Sequence, residues 1–355
     1  MAREAGPIGV GLFSYRGLGP SRAEESMTRV CVDVMGSDRE PSVLLEGIAA
    51  ALEADHDLEV LVAGAEEFVS PFAKARARAT ALVTTEVITM SEHPANAVRQ
   101  KKDASIVRAA AAVRSGDADG LFSAGSTGAV LTAATFGVGR IKGVRRPALA
   151  SALPGLDGRR TVFLDMGANA DVKPDALVQF AHMGRAYSQV VLGVTDPTVG
   201  LLCNGSEETK GSSTALGYHA ALVEADCHFI GNAEGSDLLG GRFDVIVTDG
   251  FTGNVALKAT EGAAKYIVAQ IKASVSSSKR AALGALLLKP ALKGMSSALS
   301  GDAYGGAVLL GLRAPVVKGH GSTSSEAVKN GTLAVAEAVR GKLVDKIAEA
   351  CDIAG

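Results

Sequence analysis

Short apolar runs that each end in a loop of small polar residues recur along most of this sequence. The runs are rich in Val, Leu and Ile, and helical patterns follow the loops. Strands that alternate with helices predict a mostly parallel, doubly wound sheet covered on both faces, which is a three-layer α/β/α fold. In such a sheet we expect the loops after the strands to gather at one edge, where α/β proteins bind ligands. The seven runs are residues 30–34, 58–63, 121–122, 162–164, 199–202, 245–247 and 315–317.

The segment from residue 244 to residue 258 contains the most complete example of this pattern. Its Val-Ile-Val run predicts a buried strand, Asp249-Gly250 predicts a turn, and a helix follows from about Thr252. A strand, a glycine-rich turn and a helix together direct backbone N–H groups towards an anion. Two interpretations remain open: Asp249, Thr252 and Asn254 contact a substrate, or they only cap the helix and turn the chain.

Three further loops carry side chains that could take part in chemistry. Lys210 lies in a Gly/Ser/Thr-rich loop, where it could hold a phosphate, stabilise an oxyanion or simply pair with Glu207. His320 lies between two glycines and precedes a run of hydroxyl side chains that could cradle an anion or cap a helix. Ser126 imitates the nucleophile of a serine hydrolase, but the first glycine of the required motif is missing.

Composition excludes several functional classes. A formal net charge of −2 and an aromatic content of 4% argue against a nucleic-acid partner. The four cysteines show no paired spacing, which predicts reduced thiols, a cytoplasmic location and no structural metal. No Walker A loop is present and no GxGxxG follows the first strand, so we expect no cofactor. No apolar stretch is long enough to span a membrane.

Three regions of the chain differ in composition. Residues 1–26 contain Gly, Pro, Ser and Arg without a signal-peptide core, and we predict a disordered extension, with Met27 as an alternative start. Residues 27–355 are predicted to form a single α/β catalytic domain. Within it, residues 276–300 are apolar and edged by cations, which predicts a protruding helical tip broken at Pro290. This tip either contacts a membrane or an acidic partner, or forms a buried hairpin or dimer contact; the candidate contact residues are Lys279, Arg280, Leu286, Leu287, Lys289 and Lys293.

Nine motifs occur in an order that is specific when they are taken together. They include VDVMGSD at 32–38, SAGSTGA at 123–129, DMGAN at 165–169, VTDGFTGNV at 247–255 and GHGS at 319–322. The others lie at 139–143, 210–211, 229–232 and 304–307. In this order they resemble the phosphate acyltransferase family of bacterial phospholipid synthesis, the PlsX-type enzymes, from about residue 27 to residue 347. Two positions depart from the family pattern: Ser37 replaces a glycine and Cys203 replaces an asparagine.

The resemblance implies an enzyme that converts acyl-[acyl carrier protein] and inorganic phosphate to acyl phosphate and free carrier protein. It also implies a homodimer with a fold like those of isocitrate and isopropylmalate dehydrogenases, and Lys210 and Asn254 as the central catalytic residues. Peripheral contact with the membrane and hand-off to a membrane glycerol-phosphate acyltransferase are expected as well. The residues predicted to bind the substrate or phosphate are Asp33, Gly36, Ser126, Thr127, Asp165, Asn169, Asp249, Thr252, His320 and Ser322.

In the expected mechanism, phosphate attacks the thioester carbonyl directly. Lys210 neutralises charge, the Asn254 amide orients the thioester, and helix N-termini at residues 250–254 and 321–325 supply backbone donors. The acidic carrier protein would dock either on the cations of the apolar tip or on a rival group formed by Arg140, Lys142, Arg145 and Arg146. Two other functions remain open: an acyl-CoA:phosphate transferase of the phosphotransacetylase kind, and a non-enzymatic scaffold for lipid or carrier protein.

Overall fold

The computed structural model describes residues 27–156, 158–276 and 305–352. In these residues eleven strands form one sheet with the order β3-β2-β1-β4-β11-β10-β5-β6-β9-β7-β8. The strands are β1 (Thr28–Asp33), β2 (Leu58–Gly64), β3 (Ala79–Val83), β4 (Gly120–Ser123), β5 (Ala148–Pro154), β6 (Arg160–Leu164), β7 (Val199–Leu202), β8 (Phe229–Ala233), β9 (Val245–Val247), β10 (Ala307–Leu310) and β11 (Val316–Lys318).

Helices follow most of the strands. They are α1 (Pro41–Ala54), α2 (Glu66–Lys74), α3 (Pro94–Gln100), α4 (Ser105–Ser115), α5 (Thr127–Ala133), α6 (Pro174–Leu192), α7 (Ser213–Glu224), α8 (Gly250–Ser276), α9 (Ser325–Arg340) and α10 (Leu343–Asp352). A π-helical turn at Ala134–Val138 extends α5, and a 3₁₀ turn spans Gly235–Leu239. Within the described ranges, no helix is both long enough and apolar enough to cross a membrane.

The helices cover both faces of the sheet. Successive residues of β1 point to opposite faces: Val30 and Val32 join the core packed under α1, α6 and α9, whereas Cys31 joins the core packed under α4 and α5. Because both faces are buried, the strands are continuous apolar runs rather than alternating ones. The predicted three-layer, mostly parallel α/β/α fold is therefore confirmed. The predicted disordered extension at 1–26 and nearly all of the apolar tip at 276–300 lie outside the described residues.

The sheet consists of two parallel halves that run in opposite directions. The first half contains β1, β2, β3, β4 and β11, and the second half contains β6, β7, β8 and β9. Between the halves, β10 and β5 pair antiparallel with their neighbours and with each other, so the direction changes from one half to the other. The expectation that the loops after the strands gather at one edge of the sheet is therefore wrong.

Strand register nevertheless brings the carboxyl ends of both halves to the same level of the sheet. Leu164, the last residue of β6, pairs with Ala150 of β5, and Ala150 also pairs with Val308 of β10. One residue earlier in β10, Ala307 pairs with Lys318, the last residue of β11. The two halves are thus offset along the strand direction and overlap only where their carboxyl ends meet. Their loops face each other across β5 and β10.

Helix α8 packs unusually close to the loop that follows β6. A Cβ added at Gly253 would lie 1.9 Å from the backbone oxygen of Asp165, and one at Gly250 would lie 2.3 Å from the backbone oxygen of Asn169. These glycines are three residues apart, so they lie on the same face of the helix. Only a helix without side chains on this face can reach its observed position.

We expect Gly253→Ala to destabilise the protein by more than the roughly 1–3 kcal/mol typical of overpacking, because the clash is with backbone that cannot rotate away. Gly262→Ala is the matched control in the same helix, since a Cβ there meets nothing within 4 Å. It should gain up to about 1 kcal/mol from helix propensity. Urea unfolding of both variants tests this difference, and equal stabilities would contradict the close contact.

Candidate active site

A cavity of about 570 Å³ lies where the two halves meet. Its walls are mainly apolar and come from β5, from α5 of the first half and from α8 of the second. The apolar residues include Leu131, Leu149, Leu153, Met166, Leu239 and Leu257. Polar side chains from both halves enter the same cavity, and they include Thr127, Ser151, Asn254, Lys258, Lys318 and His320. The cavity can therefore accept a ligand with an apolar part and a charged part.

The carboxylate of Asp165 organises the loop beneath the cavity. Its Oδ1 accepts N–H bonds from Leu149 (3.0 Å), Gly167 (3.1 Å) and Ala168 (2.9 Å). Its Oδ2 accepts bonds from the backbone N–H and the side-chain Nδ2 of Asn169, both at 2.8 Å. Burial raises the pKa of Asp165, and these N–H donors act in the opposite direction. We therefore assign Asp165 and Asn169 a positioning role instead of the substrate contact expected from sequence.

The N-terminus of α8 offers fewer free donors than the sequence suggests. The N–H of Gly250 donates to the Asn169 oxygen (2.7 Å), and the N–H of Phe251 donates to the Ala170 oxygen (3.2 Å). Asp249 caps the helix: its Oδ1 accepts the Thr252 N–H at 2.8 Å and its Oδ2 accepts the Thr252 hydroxyl at 2.9 Å. The expected anion site on these backbone donors is wrong, because the protein itself already uses them.

Asn254 lies one turn into α8 and lines the cavity. Its side chain is exposed and lies beside Gly167, where an added Cβ would be in ordinary van der Waals contact, 3.5 Å from Asn254 Cβ. Gly167 has φ +127°, a conformation that favours glycine. The Asp165 loop and the close packing of α8 thus place the Asn254 amide at the cavity wall.

A second buried carboxylate joins the ends of β1 and β4. Asp33 Oδ2 accepts the Ser123 hydroxyl at 2.7 Å, and Ser123 Oγ in turn accepts the Gly125 N–H at 3.1 Å. Asp33 is 1% exposed, and burial raises its pKa to about 6, although bonds from Ser105, Ser123 and Met35 lower it. Asp33 does not line the cavity. Like Asp165, it holds a loop in place.

The neighbouring loops contain the other residues expected from sequence. Gly36 has φ +73°, and a Cβ there would lie 3.1 Å from the Ile88 oxygen, so this glycine turns the chain. Ser126 is the N-cap of α5 and accepts the Ala129 N–H at 3.2 Å. Its hydroxyl is thus used as an ordinary helix cap, whereas Thr127 beside it lines the cavity.

His320 also lines the cavity, and its tautomer follows from its hydrogen bonds. Its Nδ1 accepts the Ser322 backbone N–H at 3.3 Å and lies 2.9 Å from the Ser322 hydroxyl. Burial, together with Lys318 and Lys258, lowers the pKa of His320. The neutral ring therefore carries its proton on Nε2, which is a donor. Ser322 orients His320, and Ser324 caps α9 by accepting the Ala327 N–H at 3.2 Å.

Sequence reasoning missed Lys318 and Lys258, which both line the cavity. Lys318 is the last residue of β11 and directly precedes the Gly-His-Gly motif. This position at the carboxyl end of a strand is the sequence feature that could have marked it as a site residue. Lys258 is one helical turn after Asn254 and forms an ion pair with Glu261 at 2.9 Å. Among the described residues, His, Cys, Asp and Glu side chains form no group of three that could hold a metal ion.

Comparison with known proteins identifies the family. A profile described as fatty acid synthesis protein matches residues 28–346. A phosphate acyltransferase from Limosilactobacillus reuteri (strain DSM 20016) is 46% identical over 330 residues, which cover 91% of this chain and 96% of that protein. This chain belongs to the phosphate acyltransferase family.

The fold of this phosphate acyltransferase family member is shared with more distant proteins. A phosphotransacetylase from Streptococcus pyogenes has a TM-score of 0.57 at 16% identity, covering 88% of this chain and 94% of that one. A putative 4-hydroxythreonine-4-phosphate dehydrogenase from Salmonella typhimurium has a TM-score of 0.50 at 12% identity, covering 87% of this chain and 99% of that one. These likenesses concern the fold, and they agree with the predicted dehydrogenase-like architecture.

The loop of Lys210 lies beside the α8 turn but outside the cavity lining. β7 and β9 are adjacent and parallel, so the loops after them are neighbours. The Lys210 N–H donates to the Glu207 oxygen (3.0 Å), which also accepts Asn232 Nδ2 (2.9 Å). Asn232 is buried and its Oδ1 lies 3.0 Å from His219 Nδ1, so both side chains support this loop. In the described chain, the Lys210 side chain is exposed and forms no ion pair with Glu207.

The raised pKa of Asp33 predicts a pH-dependent stability. A folded-state pKa of about 6 above the ordinary 3.8 means that the fold favours the protonated acid. The resulting stabilisation is complete below about pH 4 and is lost as the pH rises to about 6. Relative to Asp33→Asn, wild-type protein should lose about 3 kcal/mol of unfolding free energy over this interval. Urea unfolding between about pH 3 and pH 7 measures this change, and parallel pH curves for the two proteins would contradict it.

Proposed function

We propose that this phosphate acyltransferase transfers the acyl group of acyl-[acyl carrier protein] to inorganic phosphate and releases acyl phosphate and free carrier protein. The observation that carries the proposal is the cavity itself, in which apolar walls meet the Asn254 amide and the cationic side chains of Lys258 and Lys318. The relative from Limosilactobacillus reuteri is named phosphate acyltransferase, which supports acyl transfer to phosphate. Apolar walls suit an acyl chain, and the polar groups suit a thioester carbonyl and an anion.

In the proposed reaction a phosphate oxygen attacks the thioester carbonyl carbon. A C–O bond forms, the C–S bond breaks, and the thiolate of the carrier leaves and takes up a proton. No acyl-enzyme forms, which agrees with the use of Ser126 as a helix cap. Asn254 orients the thioester through its side-chain amide. The enzyme therefore acts by bringing the two substrates together and by stabilising the developing oxyanion.

We assign Lys210 to the stabilisation of this oxyanion. Its loop follows β7 and lies next to the turn that carries Asn254, because β7 and β9 are parallel neighbours. Its ammonium is free of an ion pair within the described residues, so it is able to move towards the thioester. A lysine is a compact point charge on a flexible stem, which suits this movement.

The carrier protein, a second copy of the chain and the membrane are further proposed partners. The cations of the apolar tip (279, 280, 289 and 293) lie outside the described residues. In the rival group, Arg145 pairs with Asp175 at 2.7 Å and Arg140 donates to the Val144 and Arg145 oxygens. Lys142 and Arg146 are exposed and are the members of this group that remain available for docking. A homodimer, peripheral attachment to the inner face of the membrane and hand-off to a membrane glycerol-phosphate acyltransferase complete the proposal.

Phosphorus NMR of the purified protein with acyl carrier thioester and phosphate tests the activity. We expect a new acyl-phosphate signal. A signal only when acyl-CoA replaces the carrier thioester would favour the acyl-CoA transferase, and no signal with either donor would favour a scaffold.

Lys210→Ala should lower turnover by roughly 10²–10³-fold, the usual loss of one group directed at an oxyanion. The control is Lys346→Ala, which removes an exposed lysine from α10, outside the cavity lining. Initial rates of acyl-phosphate formation measure the effect, and circular dichroism verifies folding. Near-normal turnover of a folded Lys210→Ala protein would remove Lys210 from the mechanism.

A further inference from the structure

Lys318 occupies a central position in the sheet. It ends β11, which lies between β4 and β10, and its backbone pairs with Ser123 on one side and Ala307 on the other. It therefore lies at the level where the carboxyl ends of the two halves meet. Its side chain is half-buried and lines the cavity.

The ammonium of Lys318 has no hydrogen bond or ion pair within the described part of the chain. The charged groups around it are Lys258 and Glu261 on α8 and Asp38 in the loop after β1. Glu261 pairs with Lys258 at 2.9 Å. Asp38 lies against Gly321, where an added Cβ would be 2.5 Å from Asp38 Oδ2. Neither carboxylate forms an ion pair with Lys318.

An unpaired cation in a partly buried position is unfavourable, and a second lysine nearby increases the cost. Burial and Lys258 accordingly lower the pKa of Lys318. An anion in the cavity would remove this free-energy cost, because it would form an ion pair with the Lys318 ammonium. The same cavity contains His320, whose Nε2–H is a further donor for an oxyanion.

We propose that Lys318 binds the phosphate substrate in the cavity, with His320 as a second donor. This inference rests on the proposed function and adds to it: Lys318 holds the nucleophile, whereas Lys210 and Asn254 act on the thioester. It explains why the cavity contains an ammonium that forms no ion pair within the described residues, although Glu261, which pairs with Lys258, also lines the cavity. Because β11 is a central strand, the charge is also held on a rigid element, as the orientation of a nucleophile requires.

Binding of inorganic phosphate in the absence of any thioester tests this site directly. Isothermal titration of wild-type protein, Lys318→Met and Lys318→Arg gives the three affinities. We expect Lys318→Met to lower the phosphate affinity roughly 10- to 100-fold, the usual effect of losing one charge-assisted hydrogen bond. Lys318→Arg should restore part of the affinity. Lys258→Met is the matched comparison within the cavity and should have a smaller effect, because Glu261 already neutralises Lys258.

Steady-state kinetics then separates the two substrates. Lys318→Met should raise the KM for phosphate and leave the KM for the acyl thioester unchanged. A raised KM for the thioester alone would place the acyl donor instead of phosphate at Lys318, and it would overturn the proposal. An unchanged phosphate affinity in folded Lys318→Met would overturn it as well, whether or not the protein transfers acyl groups.

A measurement on wild-type protein keeps the test independent of folding in the variants. Phosphate should protect Lys318 from acetylation by acetic anhydride, as read from peptide masses, while Lys346 on α10 remains reactive. Equal labelling of Lys318 with and without phosphate would contradict the site. If phosphate binds through Lys318 but no acyl phosphate forms with either donor, the proposed function fails and the phosphate site stands.

Discussion

The carboxylate of Asp165 is the constraint on which the site depends. It accepts N–H bonds from β5, from the backbone of residues 167–169 and from the Asn169 side chain. These five hydrogen bonds hold the loop after β6 in its observed conformation. Helix α8 packs on this loop through Gly250 and Gly253. Asn254 directly follows Gly253, so its position is set by the contacts that Gly250 and Gly253 make with this loop.

The antiparallel pair β5 and β10 determines where the cavity lies. A uniformly parallel sheet would place all its loops side by side at one edge. Here the reversal of direction between the halves, combined with their offset, places two sets of loops face to face. Both halves supply apolar and polar side chains to this cavity. The second half and β5 contribute apolar walls such as Leu149 and Leu257, and the first half contributes Lys318 and His320.

The hydrogen bonds that the protein already forms determine which of its polar groups remain available to a ligand. Asp249 and the oxygens of Asn169 and Ala170 already accept the first N–H groups of α8. The N-terminus of α8 therefore has no free backbone donor to offer an anion. Asn254, Lys318 and His320 line the cavity, whereas the carboxylates of Asp33 and Asp165 are buried and hold loops in place. Residues of the same motif thus divide into those that line the cavity and those that hold the loops.

The sequence by itself determined seven of the eleven described strands, the layers and the family. The apolar runs at Val199–Leu202 and Val245–Val247 are strands at those very residues, because a strand buried on both faces must be apolar throughout. The ordered motifs likewise identified the phosphate acyltransferase family, which the relatives confirm. The sequence did not reveal β3, β5, β8 or β10; the run of Ala, Ser and Leu in β5, for example, has no distinctive period. Only the tertiary structure decided the direction of the two halves, the hydrogen bonds to Asp165 and the approach of Lys318 to Lys258, because these depend on pairings between segments far apart in the chain.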